Sequence, residues 1–177
     1  MPPADRRHGT SLRGFAPVLD AGVEALVLGS FPGVASLAAG QYYAHPRNAF
    51  WVVMAEVVGE PLASLAYPQR LQRLLAHRIG LWDVVTACDR SGSLDADIRN
   101  PALIELAALR ELAPRLRAIA FNGASAGRQL GAARAAGWHA AVLPSTSPAY
   151  AARSVTDKAR AWCQFFAPVL PARPAHA

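Results

Sequence analysis

The 177-residue chain has a single lysine, Lys158, against 17 arginines. Cysteine occurs twice, as Cys88 and Cys163, far apart and outside any CxxC spacing. Two reduced thiols are therefore expected, and a zinc or iron–sulfur site would need more ligands than these. No apolar run approaches the roughly 18 residues of a membrane span. The N-terminus, Met1–Arg7, carries charge but no apolar segment after it, so a secretory signal is not expected and the cytoplasm is the expected location. Charged residues make up only 17% of the chain and hydrophobic ones 53%, which excludes a disordered protein and fits a sizeable core. Neither an internal repeat nor an interdomain linker is visible. One domain over 1–177 is expected, with flexible ends at about 1–12 and at 171–177, where the Pro/Ala-rich tail Pro171–Ala177 lies.

What the chain has is positive charge, +6 overall with a pI near 10.1. That suits a polyanionic partner, nucleic acid first among them. The excess of arginine and alanine also fits GC-rich coding, so charge alone does not decide the matter.

Four short apolar runs end in turn or polar residues: Glu24–Gly29, Gly80–Thr86, Ala118–Asn122 and Ala140–Leu143. Each has the length and composition of a buried strand. Between them lie helical patterns. Asn48–Gly59 has an Asn at its start and a Gly at its end; Pro68–Arg78 is amphipathic; Pro101–Leu116, Ala124–Ala136 and Thr156–Phe166 follow. Alternation of this kind predicts an α/β fold, with a parallel sheet of continuous apolar strands. Ligands of such sheets bind beyond the carboxyl ends of the strands. The segments there are 30–47, 87–100, 123–128 and 144–153, and they hold most of the chemically distinctive residues.

The first of them begins Gly29-Ser30-Phe31-Pro32-Gly33 and continues to Tyr42-Tyr43-Ala44-His45-Pro46-Arg47-Asn48-Ala49-Phe50-Trp51. The Gly-x-x-Pro-Gly turn lets backbone N–H groups approach a ligand closely. It lacks the Lys and Ser/Thr of a phosphate-binding loop and the glycine spacing of a dinucleotide site. Beyond the second run stands Gly80-Leu81-Trp82-Asp83-Val84-Val85, and after the fourth comes Leu143-Pro144-Ser145-Thr146-Ser147-Pro148-Ala149.

These motifs, in this order, resemble the uracil-DNA glycosylase superfamily over about residues 15–168. They are similar to the mismatch-specific uracil/thymine enzymes, with a Gly-Ile-Asn-Pro-Gly turn and a His-Pro-x-Asn-x-Phe-Trp segment, and closer to the hypoxanthine-DNA (deoxyinosine) branch. The resemblance implies a three-layer α/β/α fold around a four-stranded, mostly parallel sheet. Its function would be hydrolysis of the N-glycosidic bond of a deaminated base, most simply hypoxanthine, flipped out of DNA, leaving an abasic site. The implied partner is DNA containing such a base, with no cofactor, no metal and no membrane, and the protein would act as a monomer. The mismatch-specific pattern places its catalytic Asn where this chain has Phe31, whose ring cannot hold a water. The hypoxanthine branch relies instead on the Asn of the second segment, here Asn48.

The chemistry asks for these residue types. Breaking the bond builds positive charge on the sugar and negative charge on the base, after the nucleotide has left the stack. An amide can position the attacking water without carrying charge, backbone N–H groups can stabilise the anion, and rings can stack on the base. Asn48 is thus the catalytic candidate, its plainer role being a helix cap. Gly29, Ser30, Phe31, Gly33, Tyr43 and Thr86 are candidates for the base pocket; Phe31 and Tyr43 would otherwise be packing residues. His45 and Arg47 are candidates for DNA contact, with His45 alternatively buttressing its turn. Ser145, Thr146 and Ser147 suit phosphate gripping or simple turn capping, and Ala149 and Tyr150 are candidates for the wedge that fills the flipped base's place. Arg90, Arg99, Arg128 and Arg153 could face phosphate or be scattered surface charge. Asp83 is expected to be a structural hydrogen-bond hub, and Asn122-Gly123 to end its strand. No lysine lies in the motifs to attack C1′, which favours simple hydrolysis over lyase chemistry. The alternatives are mismatch uracil/thymine removal, a non-catalytic sensor of deaminated DNA, and a small-molecule nucleotide binder.

Overall fold

The structure is a computed structural model that describes residues 11–170. The expected flexible ends lie outside these residues, except that Leu12 belongs to a short strand. Strand β1 (Leu12–Arg13) precedes β2 (Ala25–Gly29), α1 (Val34–Ala39), α2 (Phe50–Val58) and α3 (Tyr67–Ala76). Next come β3 (Ile79–Asp83), β4 (Val85–Asp89), β5 (Arg99–Leu103) and α4 (Leu109–Leu112). The chain ends in β6 (Ala118–Asn122), α5 (Leu130–Ala135), β7 (His139–Leu143) and α6 (Val155–Phe166).

The central sheet has four parallel strands in the order β3-β2-β6-β7, with helices on both faces, as a three-layer α/β/α architecture requires. Its alternating side chains feed two cores. Ala25, Val27, Ala118 and Ala120 point to one face, where their small size leaves room for Phe50 of α2 and for Trp162 and Phe166 of α6. Leu26, Leu28, Ile119 and Phe121 fill the other, with Leu109, Ala133 and Trp138. Burial on both sides is why these strands read as unbroken apolar runs.

Three expectations are corrected. Gly80–Thr86 is not one strand. The chain leaves the parallel sheet after Asp83 and re-forms as β4, the centre of a three-stranded antiparallel sheet ordered β1-β4-β5. Nor is Pro101–Leu116 a helix. Its first residues form the exposed edge strand β5, where Pro101 has no N–H to give, and only Leu109–Leu112 is α-helical. Of the expected helix Ala124–Ala136 only Leu130–Ala135 is α-helical, after a 3-10 turn over Ala126–Gln129, whereas Gly59 closes α2 in the left-handed conformation at φ 72° and Ser154 caps α6 by accepting from Asp157 N. Among the described residues no helix is long and apolar enough to cross a membrane.

Candidate active site

The strand order switches direction at β2. One connection leads out to β3 on its left, and the later chain returns to β6 on its right, so the carboxyl ends of these strands open a crevice. A cavity of about 360 Å³ lies there, within the range of small-molecule sites. Its walls come from the loops after all four parallel strands. Gly29 ends β2, and Ser30, Phe31 and Gly33 follow it; Asp83 ends β3; Asn122 ends β6; Ser145, Thr146 and Ser147 follow β7. Tyr43, His45 and Asn48 enter from the segment before α2, and Ala149 and Tyr150 complete the lining.

Asn48 is half-buried and held on both sides. Its backbone N donates to His45 O at 2.9 Å, and its Oδ1 accepts from Phe50 N at 3.0 Å, in the first turn of α2. The amide thus caps the helix start and also faces the cavity. Among the described residues its side chain has no other hydrogen-bond partner. His45 buttresses the same turn, its Nδ1 accepting from Arg47 N at 3.1 Å. Ala49 N donates to Thr146 O at 3.0 Å, tying this segment to the loop after β7.

That loop is fastened in turn by Asn122, which sequence reading took only as a strand end. Its Nδ2 donates to Thr146 Oγ1 and its Oδ1 accepts from Thr146 N, both at 2.9 Å. Ser145 and Ser147 line the cavity while their hydroxyls cap the backbone of Ser147 and Ala149. Tyr150 is exposed at the rim. Its carbonyl accepts from Lys158 Nζ at 2.7 Å, and the ammonium lies 5.2 Å from its ring. The chain's lysine is therefore buried in α6 beneath the rim and does not line the cavity.

Phe31 is buried in the cavity wall, with the Arg90 guanidinium 4.9 Å from its ring centroid. Arg90 turns inward, donating to Pro32 O, instead of reaching out to phosphate. The segment after β4 folds back over the first turn: Ser30 Oγ donates to Asp95 at 2.8 Å, and Val34 N donates to Ser93 Oγ at 2.9 Å. Tyr43 adopts φ 55°, a left-handed value rare for an aromatic residue. Its ring stacks on Phe50 at 3.7 Å, leaving the phenol tip at the cavity floor.

Asp83 differs from its expected role. It is buried at the floor, and its Oδ2 has no hydrogen-bond partner among the described residues, so it is not a hub. Burial, with Asp95 nearby and only partly offset by Arg90, pushes its carboxyl up to about 7. Burial and the same carboxylate raise the Tyr43 phenol as well. Thr86 is corrected too. It sits in β4, its hydroxyl donating to Ala102 O of β5 at 3.2 Å, and it is not in the cavity wall. Arg47, Arg99, Arg128 and Arg153 are exposed outside the wall. Among the described residues no three His, Cys, Asp or Glu side chains converge as a metal site would need.

The family model of the uracil DNA glycosylase superfamily matches residues 16–170. The chain is 38% identical over 154 residues to a protein of Methanosarcina barkeri (strain Fusaro / DSM 804) named hypoxanthine DNA glycosylase, covering 87% of this chain and 97% of that one. A protein of the same name from Methanosarcina acetivorans is 43% identical over 137 residues, covering 77% and 87%. A Methanosarcina acetivorans protein solved by solution NMR superposes with a TM-score of 0.78 at 38% identity, over 88% of this chain and 99% of its own.

Proposed function

The chain belongs to the uracil DNA glycosylase superfamily, and we propose that it excises hypoxanthine from DNA by simple hydrolysis, with Asn48 positioning the attacking water. The observation that carries this reading is the placement of Asn48. Its Oδ1 is anchored by the α2 backbone while its amide borders the cavity at the strand ends. One lone pair of Oδ1 is used on Phe50 N; the other, with the two N–H donors, serves water and sugar. The water adds to C1′ as the base departs. Removal of hypoxanthine is what the two Methanosarcina relatives are named for, and Phe31 stands where a mismatch-specific enzyme carries its amide.

Phe31 and Tyr43, with the glycines and Ser30 of the first turn, frame the flipped base. His45, Ser145 and Ser147 line the cavity and Arg47 is exposed outside its wall, suited to the flanking phosphates, while Thr146, buried and bonded to Asn122, holds the loop that carries the two serines. Ala149 and Tyr150 are the wedge candidates at the rim, and Tyr150, braced by Lys158, has the ring that could stack there. That lysine is engaged under the rim, and among the described residues no primary amine lines the cavity for Schiff-base chemistry, which supports an abasic site as the product. The positive net charge supports a DNA substrate.

The test is single-turnover cleavage of end-labelled duplexes carrying hypoxanthine, uracil or xanthine opposite each normal base, with alkali to reveal abasic sites. Hypoxanthine strands cut only after alkali support the reading. Cutting of uracil strands alone moves the protein to the mismatch branch, and tight lesion binding without any cut makes it a sensor.

A further inference from the structure

Among the described residues, four buried polar atoms lack a hydrogen-bond partner: Tyr43 Oη, Asp83 Oδ2, and Nε and Nη1 of Arg90. Two of these residues, Tyr43 and Asp83, belong to the cavity floor and meet over Gly29. A Cβ at Gly29 would run into Asp83 Oδ1 and stand 3.0 Å from Tyr43 Oη. The absent side chain therefore lets a carboxyl and a phenol approach the end of β2 from two different segments. Native proteins rarely leave buried polar atoms unpaired, and such atoms at a site want a partner that the ligand brings. Water positioning by Asn48 makes no use of them.

Hypoxanthine has an adjacent ring N–H and C=O, a lactam edge, and uracil and xanthine share it. A neutral carboxylic acid matches that edge with two bonds: its O–H donates to the lactam oxygen and its C=O accepts from the ring N–H. We propose that Asp83, as a neutral acid beside the Tyr43 hydroxyl, reads the lactam edge of the flipped base and stabilises the base as it departs. When the C1′–N bond breaks, its electron pair stays on the base and spreads to the ring nitrogens and the lactam oxygen. The Asp83 proton is shared with that oxygen, water bonds to C1′, and the proton released by the water neutralises the departing base. An ionised Asp83 would instead face the growing anion with like charge.

The surroundings favour the neutral form. Asp83 is 5% exposed, and its carboxyl lies at about 7 because of burial first and of Asp95 second. Asp95 comes from the segment after β4 and is kept close by Ser30. Arg90, from the end of that strand, works in the opposite sense. Tyr42 and Tyr43 approach from the segment before α2, and both phenols are held protonated by burial and by the Asp83 charge, with the Asn122 amide at the end of β6 acting on Tyr43 in the opposite sense. His45 and the exposed Tyr150 are the remaining titratable groups in the wall.

This inference rests on the glycosylase reading, and the two can fail separately. Single-turnover rates on a hypoxanthine duplex, measured from pH 5.5 to 9 with the full chain, are compared for wild type, Asp83→Asn and Asp83→Ala, each checked for a cooperative melt. Wild-type rate should fall about tenfold per pH unit above a break near neutrality. Asp83→Asn, whose amide still offers a donor and an acceptor, should be slower than wild type at pH 6 but lose the break. Asp83→Ala should lose about a hundredfold or more at pH 6 and stay below Asp83→Asn throughout. An unchanged break in Asp83→Asn, or Asp83→Ala cutting as fast as wild type, overturns the role of Asp83 while leaving the enzyme reading intact. A wild type inactive on every lesion overturns both.

Discussion

Asn122 grips Thr146 with both ends of its amide, at 2.9 Å each, and Thr146 O in turn accepts from Ala49 N, the residue after Asn48. The end of β6 is thereby linked through the loop after β7 to the residue proposed to hold the attacking water. Thr146 is 1% exposed and Asn122 half-buried, so the bonds are partly shielded from solvent.

Asn122→Ala should therefore cost about 1–3 kcal/mol of stability by leaving Thr146 N and Oγ1 unpaired. It should also slow excision by at least about tenfold, because a small misplacement of the water costs much rate. Chemical denaturation and single-turnover kinetics on the same preparation check the two effects. Activity at the wild-type rate in a destabilised variant would confine Asn122 to folding.

Thr86→Ala should leave excision within about twofold of wild type. Its hydroxyl bonds Ala102 O in the antiparallel sheet, and the loss should appear only in stability, by about 0.5–1.5 kcal/mol. A large fall in rate would return Thr86 to the base pocket.

Stability should depend on pH through Asp83. Its folded carboxyl is raised, so between the ordinary carboxylate range and about 7 the folded state holds a proton that the unfolded state has lost. Stability from this group is present at low pH and lost as pH rises through that window. Asp83→Asn should then melt a few degrees above wild type at pH 8, and the gap should close toward pH 4. Scanning calorimetry at the two values decides; a gap that is equal at both contradicts the raised carboxyl.

The four parallel strands were legible because burial on both faces turns a strand into a short apolar run ended by turn or polar residues. Position at their carboxyl ends then brought Phe31, Tyr43, Asn48 and the 145–147 hydroxyls into one wall. Thr86 and Pro101–Leu116 were misread for a common reason. Val84 and Val85 continue the apolar pattern of β3 although the chain has changed sheets, and Pro101–Leu103 is an exposed edge whose residues carry no period. Asn122 reads only as a strand end because its partner lies 24 residues on, a separation no local pattern encodes. Asp83 reads as a hydrogen-bond hub from sequence, because its missing partner is a property of three-dimensional packing.

The central claim is tested most directly by one comparison: single-turnover excision of hypoxanthine by wild type and Asn48→Ser. Serine keeps a cap acceptor for Phe50 N, so stability should stay within about 1 kcal/mol of wild type. Loss of the amide should nevertheless slow cutting by about a hundredfold or more. A rate near that of wild type in the folded variant would contradict the account, since Asn48 would then be a helix cap and nothing more.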